Sequence, residues 1–194
     1  MMKVVAINGS PRSDGNTFRM IRLVLDSLNA EGIETELVQL SGKTINGCIA
    51  CYGCFQNRNR KCAVTNDDFN MVFEKMDAAD GLILASPTYF ADVTTELKAV
   101  IDRGGFVARA NGNLFRHKAG AAVVVMRRAG GMHAFDTINH LFQISQMFIV
   151  GSTYWNIALG RDAGDADSDT EGCSTMQELG KSMAFLLKKL GQQR

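Results

Sequence analysis

The chain has 194 residues, a formal net charge of +1, and 46% hydrophobic against 21% charged residues. That length suits one folded unit over residues 1–194 with a sizeable core, and the near-neutral charge excludes a broad basic field for nucleic acid or an anionic membrane. No apolar run approaches the ~18 residues of a spanning helix. The strand-like start Lys3-Val4-Val5-Ala6-Ile7 carries no signal-peptide cleavage pattern, so a cytoplasmic protein with reduced thiols is expected.

The first predicted strand ends at Ile7, and the polar stretch Asn8 to Thr17 leads into a helix with Ile21, Val24, Leu25 and Leu28 at helical spacing. Gly32 reads as a helix stop, and Ile33 to Leu40 as the second strand. Residues 41–66 form a cysteine-bearing insert. Asp67 and Asp68 suit the N-terminus of a helix that shows Phe69, Val72, Phe73 and Met76 on one face. The run Gly81 to Ser86 is continuously apolar up to its last residue, as in a strand buried on both faces of a parallel sheet. Pro87 to Phe90 then forms a loop before a helix over Thr94 to Arg103. The Gly-rich stretch from Arg103 to Asn113 reads as a further loop. Ala119 to Met126 is the fourth strand, 127–131 a loop, and Phe135, Ile138, Leu141 and Phe142 mark the next helix. Met147 to Val150 opens the fifth strand, Gly160 to Thr170 is an acidic excursion, and Met176 to Leu190 is the last helix. Strands alternating with helices predict an α/β, doubly wound, five-stranded parallel sheet with helices on both faces and the cysteine insert after strand 2.

Four of the five cysteines, Cys48, Cys51, Cys54 and Cys62, crowd into the insert. Thiolates at this spacing turn their sulfurs toward one point, which is the ligand pattern of an iron–sulfur cluster or of zinc. A redox dithiol and a set of cysteines with no metal are the other two readings. The late fourth cysteine, followed by Ala63 and not proline, departs from the ferredoxin run. Zinc knuckles normally come as two separated pairs. Arg58, Arg60 and Lys61 lie between the third and fourth cysteines, where they form either a solvated basic loop or a docking surface for an acidic donor.

The first loop places Ser10, Arg12, Asn16 and Thr17 where a strand opens into a helix, a natural anion site. It matches neither the triphosphate nor the dinucleotide glycine fingerprint. Its alternative is a polar turn with Thr17 as a helix cap. Pro87, Thr88, Tyr89 and Phe90 offer donors and aromatic edges for a planar ring. Arg128, Gly130 and Gly131 in the third loop combine charge with close backbone approach. Ligands of open α/β sheets bind in the crevice these loops rim.

Asn8-Gly9-Ser10-Pro11-Arg12 with Gly15-Asn16-Thr17, then Ala79-Asp80-Gly81, Ser86-Pro87-Thr88-Tyr89-Phe90 and Ile101-Asp102-Arg103 resemble the NADPH-dependent FMN reductase superfamily of flavodoxin-like proteins. The cysteine run followed by Asp67-Asp68 is similar to the iron–sulfur flavoproteins within it. The resemblance implies a flavodoxin-like fold and non-covalent FMN, with its phosphate on Ser10, Arg12, Asn16 and Thr17. The ring falls on Pro87, Thr88, Tyr89 and Phe90 plus Arg128, Gly130 and Gly131. It also implies a homo-oligomer, a dimer or tetramer, with a cluster close to a flavin. A flavin-dependent oxidoreductase is expected, with no catalytic side chain of its own. It would pass electrons between FMN and a 4Fe–4S cluster on Cys48, Cys51, Cys54 and Cys62, with a ferredoxin-like donor. Two rivals stand beside it: a cluster-free NAD(P)H-dependent FMN or quinone reductase, and a non-catalytic flavin-binding electron-transfer or sensor module.

Overall fold

The computed structural model describes residues 2–192. In chain order the elements are β1 (Lys3–Asn8), α1 (Asn16–Ala30), β2 (Glu34–Gln39), α2 (Gly53–Asn57), α3 (Phe69–Ala78), β3 (Gly81–Pro87) and α4 (Thr95–Ala110). They continue with β4 (Ala119–Met126), α5 (Gly131–Ile144), β5 (Phe148–Ile149), β6 (Ile157–Leu159), a 3-10 turn at Asp165–Ser168, and α6 (Thr170–Gly191). All the strand pairings are parallel, in the order β2-β1-β3-β4-β5, with β6 also paired to β4.

Alternation along the central strands sorts their side chains onto two faces. Val5, Ile7, Leu82 and Leu84 pack with α3, α4 and α5, while Val4, Ala6, Ile83 and Ala85 pack with α1 and α6. The central strands are buried on both sides, which is why they read as unbroken apolar runs. Each fully buried Ile, Leu, Val, Phe or Met in these layers contributes about 1.5–3 kcal/mol. Helices α1 and α6 approach closely at Gly180, where an added Cβ would stand 2.6 Å from both the Ser27 Cβ and the Val24 carbonyl.

Three expectations are corrected. The Gly-rich loop at 103–113 is absent, because α4 continues through Gly104 and Gly105 to Ala110. Gly104 is buried beside Phe115, and a Cβ on Gly105 would already crowd Leu141 at 3.3 Å. Packing therefore outweighs the weak helix propensity of glycine. The fifth strand is split. Val150 N–H still donates to the Gly120 carbonyl, the chain leaves the sheet at Gly151, and pairing with β4 resumes where Val124 N–H donates to the Asn156 carbonyl. Finally, α6 begins at Thr170, capped by the Asp169 carboxylate through Gly172 N–H, so Cys173 lies inside its first turn.

The sheet order reverses between β1 and β3, and the loops after these strands therefore diverge to opposite faces. Such a switch point leaves a crevice at the carboxyl ends of the strands. Among the described residues, no helix is long and apolar enough to cross a membrane.

Candidate functional site

The loop after β1 is held by side chains from two strands. Asn8, fully buried, accepts from Ser10 N–H at 3.0 Å and donates to Gln39 at 2.6 Å; Gln39 in turn donates to the Ser13 carbonyl at 2.8 Å. Ser10 Oγ accepts from Arg12 N–H at 3.1 Å, which leaves its own proton to give. Gly15 occupies the N-cap of α1 and has no side chain to cap it. The first N–H groups of a helix have no intrahelical partner, so Asn16 and Thr17 open α1 with donors and the positive dipole end available to an anion. Thr17 is buried inside the first turn and is not the cap. Arg12 is exposed.

The Asn16 side chain turns away from this rim. Its Nδ2 donates to the Asp162 carbonyl at 2.8 Å and its Oδ1 accepts from Gly164 N–H at 2.8 Å, binding the acidic excursion to the start of α1. A contribution of Asn16 to an anion would therefore come from its backbone.

The loop after β3 is fixed to the first by Thr94, whose hydroxyl donates to the Gly9 carbonyl at 2.8 Å and caps α4 at Leu97 N–H. Gly9 N–H donates to the Ala85 carbonyl at 2.8 Å. Beyond Pro87, Thr88 N–H donates to the Val125 carbonyl at 2.8 Å, and Tyr89 and Asp92 exchange backbone hydrogen bonds across a tight turn. The two turn residues, Phe90 and Ala91, have φ of 48° and 65°. Left-handed backbone at two non-glycine residues costs about 1–2 kcal/mol each. The turn holds the Phe90 side chain fully in solvent and Tyr89 half-exposed. Thr88 Oγ1 is buried and has no hydrogen-bond partner.

The loop after β4 closes on this turn. Gly130 has φ of 82°, and a Cβ there would lie 3.2 Å from Ala91 Cα and Cβ and 3.6 Å from Thr88 Cγ2. Gly131 is pressed against Met126, whose Sδ would stand 2.7 Å from an added Cβ. Arg127 and Arg128 are exposed beside it. Three polar, partly cationic loops thus adjoin at one end of the sheet. A phosphate fits the uncapped helix start with Ser10 and Arg12. A hydrogen-bonding ring edge suits the orphaned Thr88 hydroxyl.

The cysteine insert leaves β2 and packs against α4. Cys48, Cys51, Cys54 and Cys62 all line one cavity, together with Arg103, Phe106 and Val107. Cys48 and Cys51 are exposed, Cys62 is half-buried and Cys54 buried. Burial pushes the Cys54 thiol up, with the neighbouring cysteines adding to the shift. Among the described residues no three His, Cys, Asp or Glu side chains form a group able to hold a metal ion; what the four cysteines share is a cavity. Ala50, Tyr52, Arg58 and Arg60 all have positive φ, and Gly53 is required where its Cβ would meet that of Ala63 at 2.4 Å. These kinks fold the insert on itself. Arg60 is committed to structure: its guanidinium pairs both oxygens of Asp77 at 2.7 and 2.8 Å.

Beneath the cavity lie two groups that sequence reading treated only as a family motif and a helix start. Arg103 and Asp67 form an ion pair, their side chains 1% and 0% exposed. Asp67 also accepts from Asn46 N–H at 2.8 Å and Phe69 N–H at 3.3 Å. Burial works to raise its carboxyl, but Arg103 and these N–H groups outweigh it and hold it below the usual range. Arg103 stacks 4.1 Å above the Phe69 ring. Its buried Nε–H has no hydrogen-bond partner, a donor that suits a sulfur-rich anion such as an iron–sulfur cluster held by four thiolates.

The sheet order and the three adjoining loops define a flavodoxin-like, doubly wound protein. The family model for NADPH-dependent FMN reductases matches residues 2–162. An iron–sulfur flavoprotein of Methanocaldococcus jannaschii is 38% identical over 194 residues, covering 96% of this chain and 98% of its own. One from Methanosarcina thermophila is 32% identical, covering 100% and 99%. In structure the chain is similar to RosB with a bound riboflavin-phosphate intermediate, with a TM-score of 0.80 at 18% identity over 99% of this chain and 81% of that one. It is also similar to a WrbA-like flavodoxin of Agrobacterium tumefaciens, with a TM-score of 0.66 at 14% identity over 97% and 99%. The chain belongs to the NADPH-dependent FMN reductase family, as an iron–sulfur-flavoprotein-like member, and is by that membership a flavin-dependent oxidoreductase.

Proposed function

We propose that this protein is a single flavodoxin-like domain that binds FMN at its three rim loops and holds a 4Fe–4S cluster on Cys48, Cys51, Cys54 and Cys62. It would exchange electrons between a one-electron donor, such as a ferredoxin, and a downstream acceptor. The observation that carries the reading is the single cavity shared by the four cysteines and a buried arginine. Similarity to iron–sulfur flavoproteins over nearly their whole length supports it. When bound, FMN supplies paired or single electrons and the cluster single electrons.

The chain's own residues bind and tune. Ser10, Arg12 and the first N–H groups of α1 at Asn16 and Thr17 hold the phosphate. Pro87 stiffens the ring loop, Thr88 donates from its unpartnered hydroxyl, and Tyr89 and Phe90 cover the ring from solvent. Arg128 with the backbone at Gly130 and Gly131 favours negative charge at the ring's carbonyl end. No side chain acts as a nucleophile. A homo-oligomer belongs to this reading, supported by exposed Ile49, Tyr52, Phe106 and Ile144 around the cysteine loop and the groove between α4 and α5.

Spectra of anaerobically purified Cys51→Ser and Cys54→Ser variants test it. Both are expected to keep the flavin bands and lose the broad absorbance underneath them. A second reading, a cluster-free NAD(P)H-dependent FMN or quinone reductase, is favoured by the family model that matches most of the chain. Wild-type protein whose spectrum is unchanged by both substitutions, and whose flavin bleaches rapidly with NADPH alone, would replace the first reading with this one.

A further inference from the structure

Arginine has five N–H donors, and Arg103 commits four of them. Nη1 donates to the Asn46 carbonyl at 3.0 Å and to Asp67 Oδ2; Nη2 donates to the Val64 carbonyl and to Asp67 Oδ1, each at 3.1 Å. Asn46 precedes the first cysteine by two residues and Val64 follows the last by two. One guanidinium therefore clamps both ends of the cysteine loop, and Asp67 doubles the clamp by accepting from Asn46 N–H. The fifth donor, Nε–H, is buried without a partner. Arg103 lines the cavity with the four cysteines, with Cys62 close enough to act on its charge. A fully buried side chain with an unmet donor is uncommon in native structures and calls for an occupant.

We propose that Arg103 is the positioning residue of the cysteine loop and that its free Nε–H is reserved for a cluster sulfur on the Cys62 side, where this hydrogen bond, given from the cationic end of the Arg103–Asp67 pair, makes the cluster easier to reduce. This rests on the cluster reading above. A cluster held by four thiolates is an anion that gains a further negative charge on reduction. Asp67 offsets the charge of Arg103, so the N–H donor at the near end of the pair is what stabilises the reduced form more than the oxidised one, because reduction potentials follow hydrogen bonds to the sulfurs. Lysine at this position keeps the charge but loses the planar fork that holds Asn46, Val64 and Asp67 together.

Redox titration of the anaerobic, FMN- and iron-containing protein tests the proposal, with cluster and flavin followed in the same sample. The variants are Arg103→Lys and the double variant R103M/D67L. The latter removes the pair without leaving a lone buried charge, a replacement that proteins often tolerate. The double variant is expected to disfavour cluster reduction at least tenfold, a fall of about 59 mV for one electron, with the flavin couple unmoved. Arg103→Lys is expected to hold its cluster potential closer to wild type but to be cut faster by protease within 41–66. Iron-loaded R103M/D67L with a wild-type cluster potential overturns the proposal and leaves the cluster reading standing. Wild-type protein that contains FMN but no iron overturns both.

Discussion

Gly130→Ala probes the meeting of the second and third rim loops, and the structure supplies its own control. At Gly130 the backbone has φ of 82°, a conformation that costs an alanine about 1–2 kcal/mol. Gly32 stands at φ of 77° with nothing within 4 Å of an added Cβ, so Gly32→Ala measures that backbone term alone. The new methyl at Gly130 also meets Ala91 Cα and Cβ at 3.2 Å. Ala91 is itself in a left-handed turn with a φ of 65° and cannot yield freely. Overpacking of this kind adds about 1–3 kcal/mol. Gly32→Ala should lower the melting temperature by roughly 2–8 °C, with FMN affinity unchanged; for a chain of this size each kcal/mol shifts it by about 2–4 °C. Gly130→Ala should destabilise further and, by pushing the Thr88–Ala91 turn off its position, weaken FMN binding at least tenfold, about 1.4 kcal/mol. Fluorescence titration of FMN into the deflavinated proteins reads this directly. Equal FMN affinity in both variants would refute the claim that these loops jointly form the flavin site.

In the metal-free reduced protein, iodoacetamide followed by mass spectrometry should modify the exposed Cys48 and Cys51 first. Cys54 and Cys173, whose thiols burial pushes up, should react last. The Asp67 carboxyl sits below its usual value in the folded state. The stability it contributes is therefore complete above about pH 4 and disappears as pH falls through the folded value. Asp67→Asn should cost about 3–5 kcal/mol at pH 7 by stranding Arg103, and denaturant melts between pH 7 and 3 should show a shallower acid decline than wild type. Asn16→Ala removes the bridge to Asp162 and Gly164. Amide exchange over 160–168 should accelerate, with a stability loss of about 1–2 kcal/mol.

Where one face or two faces of an element are buried, the sequence spoke clearly. β4 runs over the expected residues, Ala119–Met126, because a doubly buried parallel strand must be apolar throughout. The same logic fails for β5 and β6, two and three residues long, since no period can be read from so few positions. Gly104 and Gly105 misled because glycine breaks helices by propensity, while here packing of α4 on Phe115 and Leu141 decides. At the rim, the three loops were legible from composition. The turning of Asn16 toward Gly164 was not, as that contact spans 148 residues. The Arg103–Asp67 pair lies 36 residues apart and needed the fold to bring it together. Arg60, adjoining Lys61 in a basic stretch, is solvated as expected, and only its pairing with Asp77 needed the fold.

One chain is expected to hold both a flavin and an iron–sulfur cluster. Anaerobic purification followed by quantification of FMN, iron and acid-labile sulfide decides the matter. The expected yield is about one FMN, about four irons and about four sulfides for each polypeptide. Stoichiometric FMN with only trace iron and sulfide would contradict it.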